Sequence, residues 1–288
     1  MVNFSAVLVG INKYPDYPLK GCVNDIIIMR DILVRRYKIP ANQIRLLIDE
    51  RATKAAIEER LSWLVSNDST NKLFYYSGHG AQIPVQDYSD KNYEPDNLDE
   101  LLCPVDFNWD GTYITDNNIY DILCKMNPFH HMTMVFDCCH SGTATRDLND
   151  LSNKSIPTPL DLLSRVSSIA LADELNIDCE DLGLTEKGLF DLFKPTPDLV
   201  YSSPVFTELN ISVLTGCADN QTSADAWFYT RHQGALSYYM QSILLRNPKI
   251  SLEELRKSCE IKLLKNSFEQ TPQLICSESN LKKPFIQI

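Results

Sequence analysis

Short apolar runs alternate with stretches of helical spacing along the chain. Phe4–Ile11, Ile44–Asp49 and Lys72–Gly78 are almost continuously apolar, as strands buried on both faces are. Between them, Ile26–Tyr37 and Thr53–Val65 carry apolar residues three and four positions apart, which predicts two helices. Asn24 or Asp25 stands where the first would be capped, and Thr53 where the second would. Ala81–Asn118 reads as irregular and acidic, Asn117–Cys124 as a helix, and Met132–Asp137 as a further buried strand. Thr143–Leu209 is the longest stretch without a clear strand, although Leu160–Leu175 has helical spacing. Ile211–Cys217 and Gln273–Cys276 read as strands, and Gly234–Leu245 and Leu252–Leu264 as helices. Strands and helices in this order predict right-handed crossovers and an α/β fold, with a mostly parallel central sheet of about six strands flanked by helices.

Two strand ends carry chemistry. The run from Met132 stops at Asp137-Cys138-Cys139 and turns at Ser141-Gly142, while the run from Lys72 stops at Ser77-Gly78-His79-Gly80. Ligands collect beyond the carboxyl ends of strands in such sheets, so a thiol and an imidazole sixty residues apart are brought to one edge. Side chains alternate along a strand, which puts Ser77 with His79 and Asp137 with Cys139. A histidine beside a thiol serves a cysteine hydrolase: it takes the thiol proton and later protonates the leaving amine. Gly80 and the backbone N–H of Cys139 are placed to receive an oxyanion. The bland alternative is that the two thiols finish a core strand and the histidine is a satisfied structural residue.

Composition narrows the field. The 288 residues carry a formal charge of −11, which argues against a nucleic-acid binder and allows a basic partner or substrate. An odd nine cysteines and a start without a secretory pattern lead us to expect a reducing, cytoplasmic setting with no membrane association. No GxSxG elbow or P-loop is present, and Cys138, Cys139, His140 and the His130-His131 pair lack zinc-ligand spacing.

Tyr75-Tyr-Ser-Gly-His79-Gly80 and Asp137-Cys-Cys139-His-Ser-Gly142 resemble the histidine and cysteine boxes of the metacaspases, in the caspase-like cysteine peptidase superfamily. Leu19–Asp25, Pro104-Val-Asp106, the segment from Gly216 to Ala226 and Gln270–Cys276 resemble accessory segments of that family, in its order. The resemblance implies one caspase-like domain over 1–288 without a prodomain, divided into a large-subunit-like part (1–147), an intervening segment (148–209) and a small-subunit-like part (210–288). It implies Cys139 rather than Cys138 as nucleophile, His79 as its partner, and cleavage after Arg or Lys. Cys22, Asp25, Ser77 and Asp137 are implied to line the pocket for the residue before the cut, with Asp225 at its border. Carboxylates there would pair with a cation and reject an acidic side chain. Without the resemblance, Asp25 is equally a helix cap.

The family also implies calcium activation. The matching positions are Asp99, Asp116, Asn117 and Asp147, with Asn117 in place of a second adjacent aspartate and a one-residue insertion before Asp147; a missing carboxylate weakens such a site. Arg146, Lys154, Arg165, Lys187 and Lys194 lie in the intervening segment, a surface connection in which the enzyme is expected to cut itself. A protein or small-molecule activator is the competing expectation, and a monomer is expected. From another functional class, the fold could serve as a catalytically weak or silent adaptor, an alternative that the presence of both His79 and Cys139 opposes.

Overall fold

Residues buried on alternate sides of each strand build two separate cores. In the computed structural model, which describes residues 3–84, 98–139, 152–159, 162, 200–201, 209–218 and 221–288, a central sheet contains β1 (Phe4–Gly10), β2 (Ile44–Ile48), β3 (Asn71–Ser77), β7 (His131–Asp137), β10 (Ile211–Thr215), β13 (Gln273–Ile275) and the two-residue β9 (Val200–Tyr201). Their spatial order is β2-β1-β3-β7-β10-β13-β9; only the β10–β13 pairing is antiparallel. Val7, Val9, Phe74, Tyr76, Met134 and Val213 pack on one face with α2 (Lys54–Ser66) and α3 (Asp116–Leu123). Ala6, Leu8, Leu73, Tyr75, Val135 and Leu214 pack on the other, beneath α1 (Cys22–Arg35), α4 (Ala235–Arg246) and α5 (Leu252–Lys265). The α/β architecture and its mostly parallel sheet are those the apolar runs predict.

Register fixes the site. Gly10 is paired with Ser77 and Ser77 with Asp137, so three carboxyl ends stand side by side. Gly216 N–H donates to Phe136 O at 2.9 Å and brings the end of β10 to the same edge.

Three expectations need correcting. Helix α1 begins at Cys22 behind Gly21 with no side-chain cap: Asn24 instead donates to His232 O, and Asp25 points inward and is fully buried. Thr53 does cap α2, accepting from Ala56 N–H at 3.3 Å. The stretch read as irregular, Ala81–Asn118, holds a small antiparallel sheet of β4 (Gly80–Pro84), β5 (Leu98–Leu102) and β6 (Ile114–Thr115). Short strands with two-residue or five-residue pairings do not build a long enough periodic signal to be seen in sequence. A second small sheet joins β11 (Ala224–Phe228) to β12 (Arg231–Gly234) and to β8 (Ser152–Asn153), so the intervening segment also contributes a strand. Its predicted helical stretch, Leu160–Leu175, lies outside the described residues apart from residue 162.

Candidate active site

The carboxyl edge of the sheet holds a buried acidic pocket. Asp25, from the first turn of α1, and Asp137, from the end of β7, are both fully buried. Gly234 N–H donates to both oxygens of Asp25, at 3.0 and 3.1 Å, and Ser77 Oγ donates to its Oδ2 at 2.8 Å. Asp137 accepts from Ser223 Oγ at 2.7 Å, from Ser237 N–H at 3.2 Å and from the Ser237 hydroxyl. These donors hold the carboxylates in place without neutralising them. Cys22 is buried beside Ser77, its thiol raised by burial. Asp225 borders the pocket with Oδ2 on the N–H groups of Lys20 and Gly21, at 2.7 and 3.0 Å.

Lys154 fills the pocket. Its ammonium is 2.9 Å from Ser77 Oγ, 3.3 Å from Asp25 Oδ2 and 3.2 Å from Asp137 Oδ2. Burial alone would drive the proton off, but Asp137, Asp25 and Asp225 outweigh it and hold Lys154 well above the usual lysine range. Asp25 is raised by burial, with the Lys154 charge opposing. The expectation that Lys154 lies in a surface connection is therefore wrong: the side chain is fully buried, and its charge is met there by Asp25 and Asp137. Arg146, Arg165, Lys187 and Lys194 fall outside the described residues.

The backbone of the same residue is held as firmly. Lys154 O accepts from Gly80 N–H at 3.0 Å and from Cys139 N–H at 3.1 Å, while Lys154 N–H donates to Ser223 O at 3.1 Å. The two donors anticipated for an oxyanion thus converge on one carbonyl oxygen. Ser152 and Asn153 pair antiparallel with Asp225 and Ala224 on one side of it, and Ile156 N–H donates to Gly80 O at 2.9 Å on the other.

His79 and Cys139 flank this carbonyl. Nε2 of His79 lies 2.7 Å from Tyr17 O, an atom that only accepts, so Nε2 carries the proton and Nδ1 the lone pair. Nδ1 is buried and has no hydrogen-bond partner. Burial lowers His79 to about 4, while the Tyr17 and Lys154 carbonyls favour the protonated ring. Tyr14 packs edge-on against the imidazole at 4.5 Å, and its hydroxyl accepts from His79 N–H at 3.0 Å. The Cys139 sulfur rests against Ser223, receiving its N–H and lying 3.7 Å from its carbonyl oxygen. A neutral imidazole, two N–H donors converging on one carbonyl, and a thiol on the residue that supplies one of those donors are the parts acyl transfer needs.

Ser223, Ser237, Gly234 and the Tyr17 carbonyl are site residues that the sequence reading passes over. A side chain on Gly234 would place its Cβ 2.1 Å from Asp137 Oδ2 and 2.3 Å from Lys154 Nζ, so only glycine leaves room for the pocket's contents. No periodic signal marks it, although it opens a predicted helix.

The calcium positions are only partly described. Leu101 opposite Thr115 brings Asp99 toward Asp116 and Asn117 by register; Asp116 is buried and accepts from Asn117 N–H at 2.8 Å. Asp147 lies outside the described residues, among which no group of three or more acids, histidines or cysteines could hold a metal ion. His131 stands at the opposite end of β7 from Cys138, bonded to Ser212 and Gln287, which removes it from any zinc set with that thiol. No described helix is long and apolar enough to cross a membrane.

Comparison with known proteins bears on the fold and the family. A protein from Geobacter sulfurreducens known from its crystal structure superposes with a TM-score of 0.64 over 99% of both chains; at 22% identity it shares the fold. Metacaspase-1 of Schizosaccharomyces pombe is 31% identical over 94% of this chain and 67% of its own length, and Metacaspase-1A of Aspergillus oryzae matches to the same extent. The family described as metacaspase, peptidase C14 domain, matches residues 5–148. The chain belongs to the metacaspases, a family of cysteine peptidases.

Proposed function

We propose that this peptidase cuts after lysine or arginine through Cys139 and His79, and that the Lys154–Ser155 bond of its own chain is its first substrate. The observation that carries the reading is Lys154, which puts an ammonium on Asp25, Asp137 and Ser77 and a carbonyl on Gly80 and Cys139. An arginine brings the same charge and a planar fork suited to paired carboxylates, whereas an aspartate would meet two buried negative groups.

Cys139 Sγ attacks the Lys154 carbonyl carbon as its proton passes to Nδ1 of His79, and the oxyanion forms between the N–H groups of Gly80 and Cys139. His79 gives the proton to the Ser155 nitrogen, the C–N bond breaks, and an acyl-enzyme remains on Cys139. Water, deprotonated by Nδ1, then releases the Lys154 carboxylate. Until that cut the segment occupies the pocket, so the intact chain is closed to other substrates.

Calcium enters this proposal as an activator held by Asp99, Asp116, Asn117 and Asp147, or else another small-molecule or protein activator takes its place. No step of the chemistry passes through it. Self-cleavage indifferent to chelator and to added calcium would remove that part alone.

Intact-mass measurement tests the whole. The purified chain should separate into pieces ending at Lys154 and beginning at Ser155, and Cys139→Ala should stay whole. Afterwards Lys- and Arg-ended fluorogenic amides should be turned over and Asp-ended ones ignored. One uncut mass for both proteins, with and without calcium, would overturn the reading.

A further inference from the structure

We infer that the enzyme also reads its substrate beyond the cut, through an apolar subsite that takes a large aliphatic or aromatic side chain at the second position after the cleaved bond. The inference rests on Lys154 lying as a substrate does. From that residue onward the chain runs beside β4: Gly80 pairs with Ser155, Ile156 N–H donates to Gly80 O at 2.9 Å, and Thr158 Oγ1 donates to Gln82 O at 2.6 Å. The free edge of β4 thereby supplies backbone partners that any sequence can use, which is how an added strand gains affinity without specificity.

Specificity comes from the side chain between those bonds. Ile156, two residues after Lys154, is 4% exposed and belongs to the core under β3 and β7. Beyond it opens a cavity of about 350 Å³, walled by Tyr14, Tyr17, Val105, Phe107 and Trp109, with Ile156 closing one side. Phe107 and Trp109 stand edge to face at 4.9 Å and are only half-buried. Both rings pack against the core that holds Ile156 and also line the cavity, framing a space larger than isoleucine needs. Asp16 and Asp110 stand at the same cavity and would repel an acidic residue. Tyr14 and Tyr17, which hold His79 through a hydroxyl and a carbonyl, are also two walls of the cavity, so a filled subsite and the positioned imidazole share one support.

The expected occupant is therefore phenylalanine, isoleucine or a residue of similar size in a protein substrate. Burying such a side chain is worth about 10- to 100-fold in kcat/KM over alanine, and aspartate should be poorer still. Internally quenched peptides carrying Ser-Asn-Lys-Ser-X-Pro-Thr, with X as Ile, Phe, Ala or Asp, test this on the full chain, beside a Lys-ended fluorogenic amide that has nothing after the cut. Turnover of the amide with Phe and Ile at least tenfold above Ala and Asp supports the subsite. Turnover of the amide with all four peptides cut within threefold of one another overturns the subsite and leaves cleavage after lysine standing. If neither amide nor peptides are cut, the reading beneath it falls as well. In Trp109→Ala the Phe-to-Ala ratio should drop at least threefold; the ratio is taken on one enzyme, so a general loss of fold does not move it, and an unchanged ratio counts against the aromatic wall.

Discussion

The Lys154 ammonium lies 3.2 Å from Oδ2 of Asp137, and neither side chain has any exposed surface. Asp25 meets the same ammonium at 3.3 Å, so a single cation bridges two buried carboxylates. Removing one member of a buried charge set costs about 3–5 kcal/mol because the others are left unpaired. Lys154→Met should lower the melting temperature of a Cys139→Ala background by about 10 °C, at a few degrees per kcal/mol for a chain of this size. Lys154→Arg should cost far less. Equal melting temperatures for the two would show that water, not Lys154, balances the carboxylates.

Gly234 is the point at which the pocket has no slack. An alanine methyl there would sit within 2.3 Å of both Lys154 Nζ and Asp137 Oδ2, while Gly234 N–H is fixed on Asp25. Gly234→Ala should slow self-cleavage and turnover of Lys-ended amides at least 100-fold, mainly through KM, because the substrate cation loses its seat while His79 and Cys139 remain. A variant with unchanged KM would mean that the pocket is not where the cation binds.

The sheet and its working edge were legible because they rest on local pattern. Apolar runs stop at Ser77 and Asp137, and the register then places those two residues side by side. Less visible were features that depend on distant partners. Lys154 looks like a solvent-facing basic residue until Asp25, 129 residues away, is folded against it. Asp25 looks like a cap until the helix starts three residues earlier, and Ser223 and Ser237 look like ordinary polar positions until Asp137 needs donors. The short strands β4–β6 went unseen because two to five residues carry too little periodicity.

Burial of His79 has a direct consequence for pH. The ring must be neutral to accept the thiol proton, and with its folded value near 4 that form persists well below neutrality. The limb set by His79 should therefore lie near pH 4 and not near 6.5; a midpoint at 6.5 that persists in Asp25→Asn, which removes the carboxyl that burial raises to about 6, would show an imidazole open to water.

Stability follows the same sign. His131, also buried, is lowered to about 4, whereas an unfolded histidine titrates near 6.5. As pH falls from 6.5 to 4 the unfolded chain takes up the proton first, so the folded state loses up to about 3 kcal/mol per such histidine and regains it as pH rises. His131→Gln can keep the contacts to Ser212 and Gln287 and does not titrate. Its urea midpoint should drop less than that of the parent between pH 7 and 4.5, by the equivalent of about 2 kcal/mol.

The acids of the pocket should differ in what they contribute. Asp137 touches the bound cation and accepts from three hydroxyl and N–H donors, so Asp137→Asn removes a direct partner. Asp225 acts only through its field: Oδ2 is occupied by the N–H groups of Lys20 and Gly21, which an asparagine oxygen can still accept. For Lys-ended amides, kcat/KM should fall about 100- to 1000-fold in Asp137→Asn, the range for losing one partner of a buried charge pair. It should fall only about tenfold in Asp225→Asn, because a charge without contact is worth less in a polar, hydrogen-bonded surround. Comparison with a Met-ended amide separates charge from fold: the Lys-over-Met preference should shrink far more in Asp137→Asn. If the two variants lost that preference equally, or in the reverse order, the floor of the pocket would have to be reassigned to Asp225.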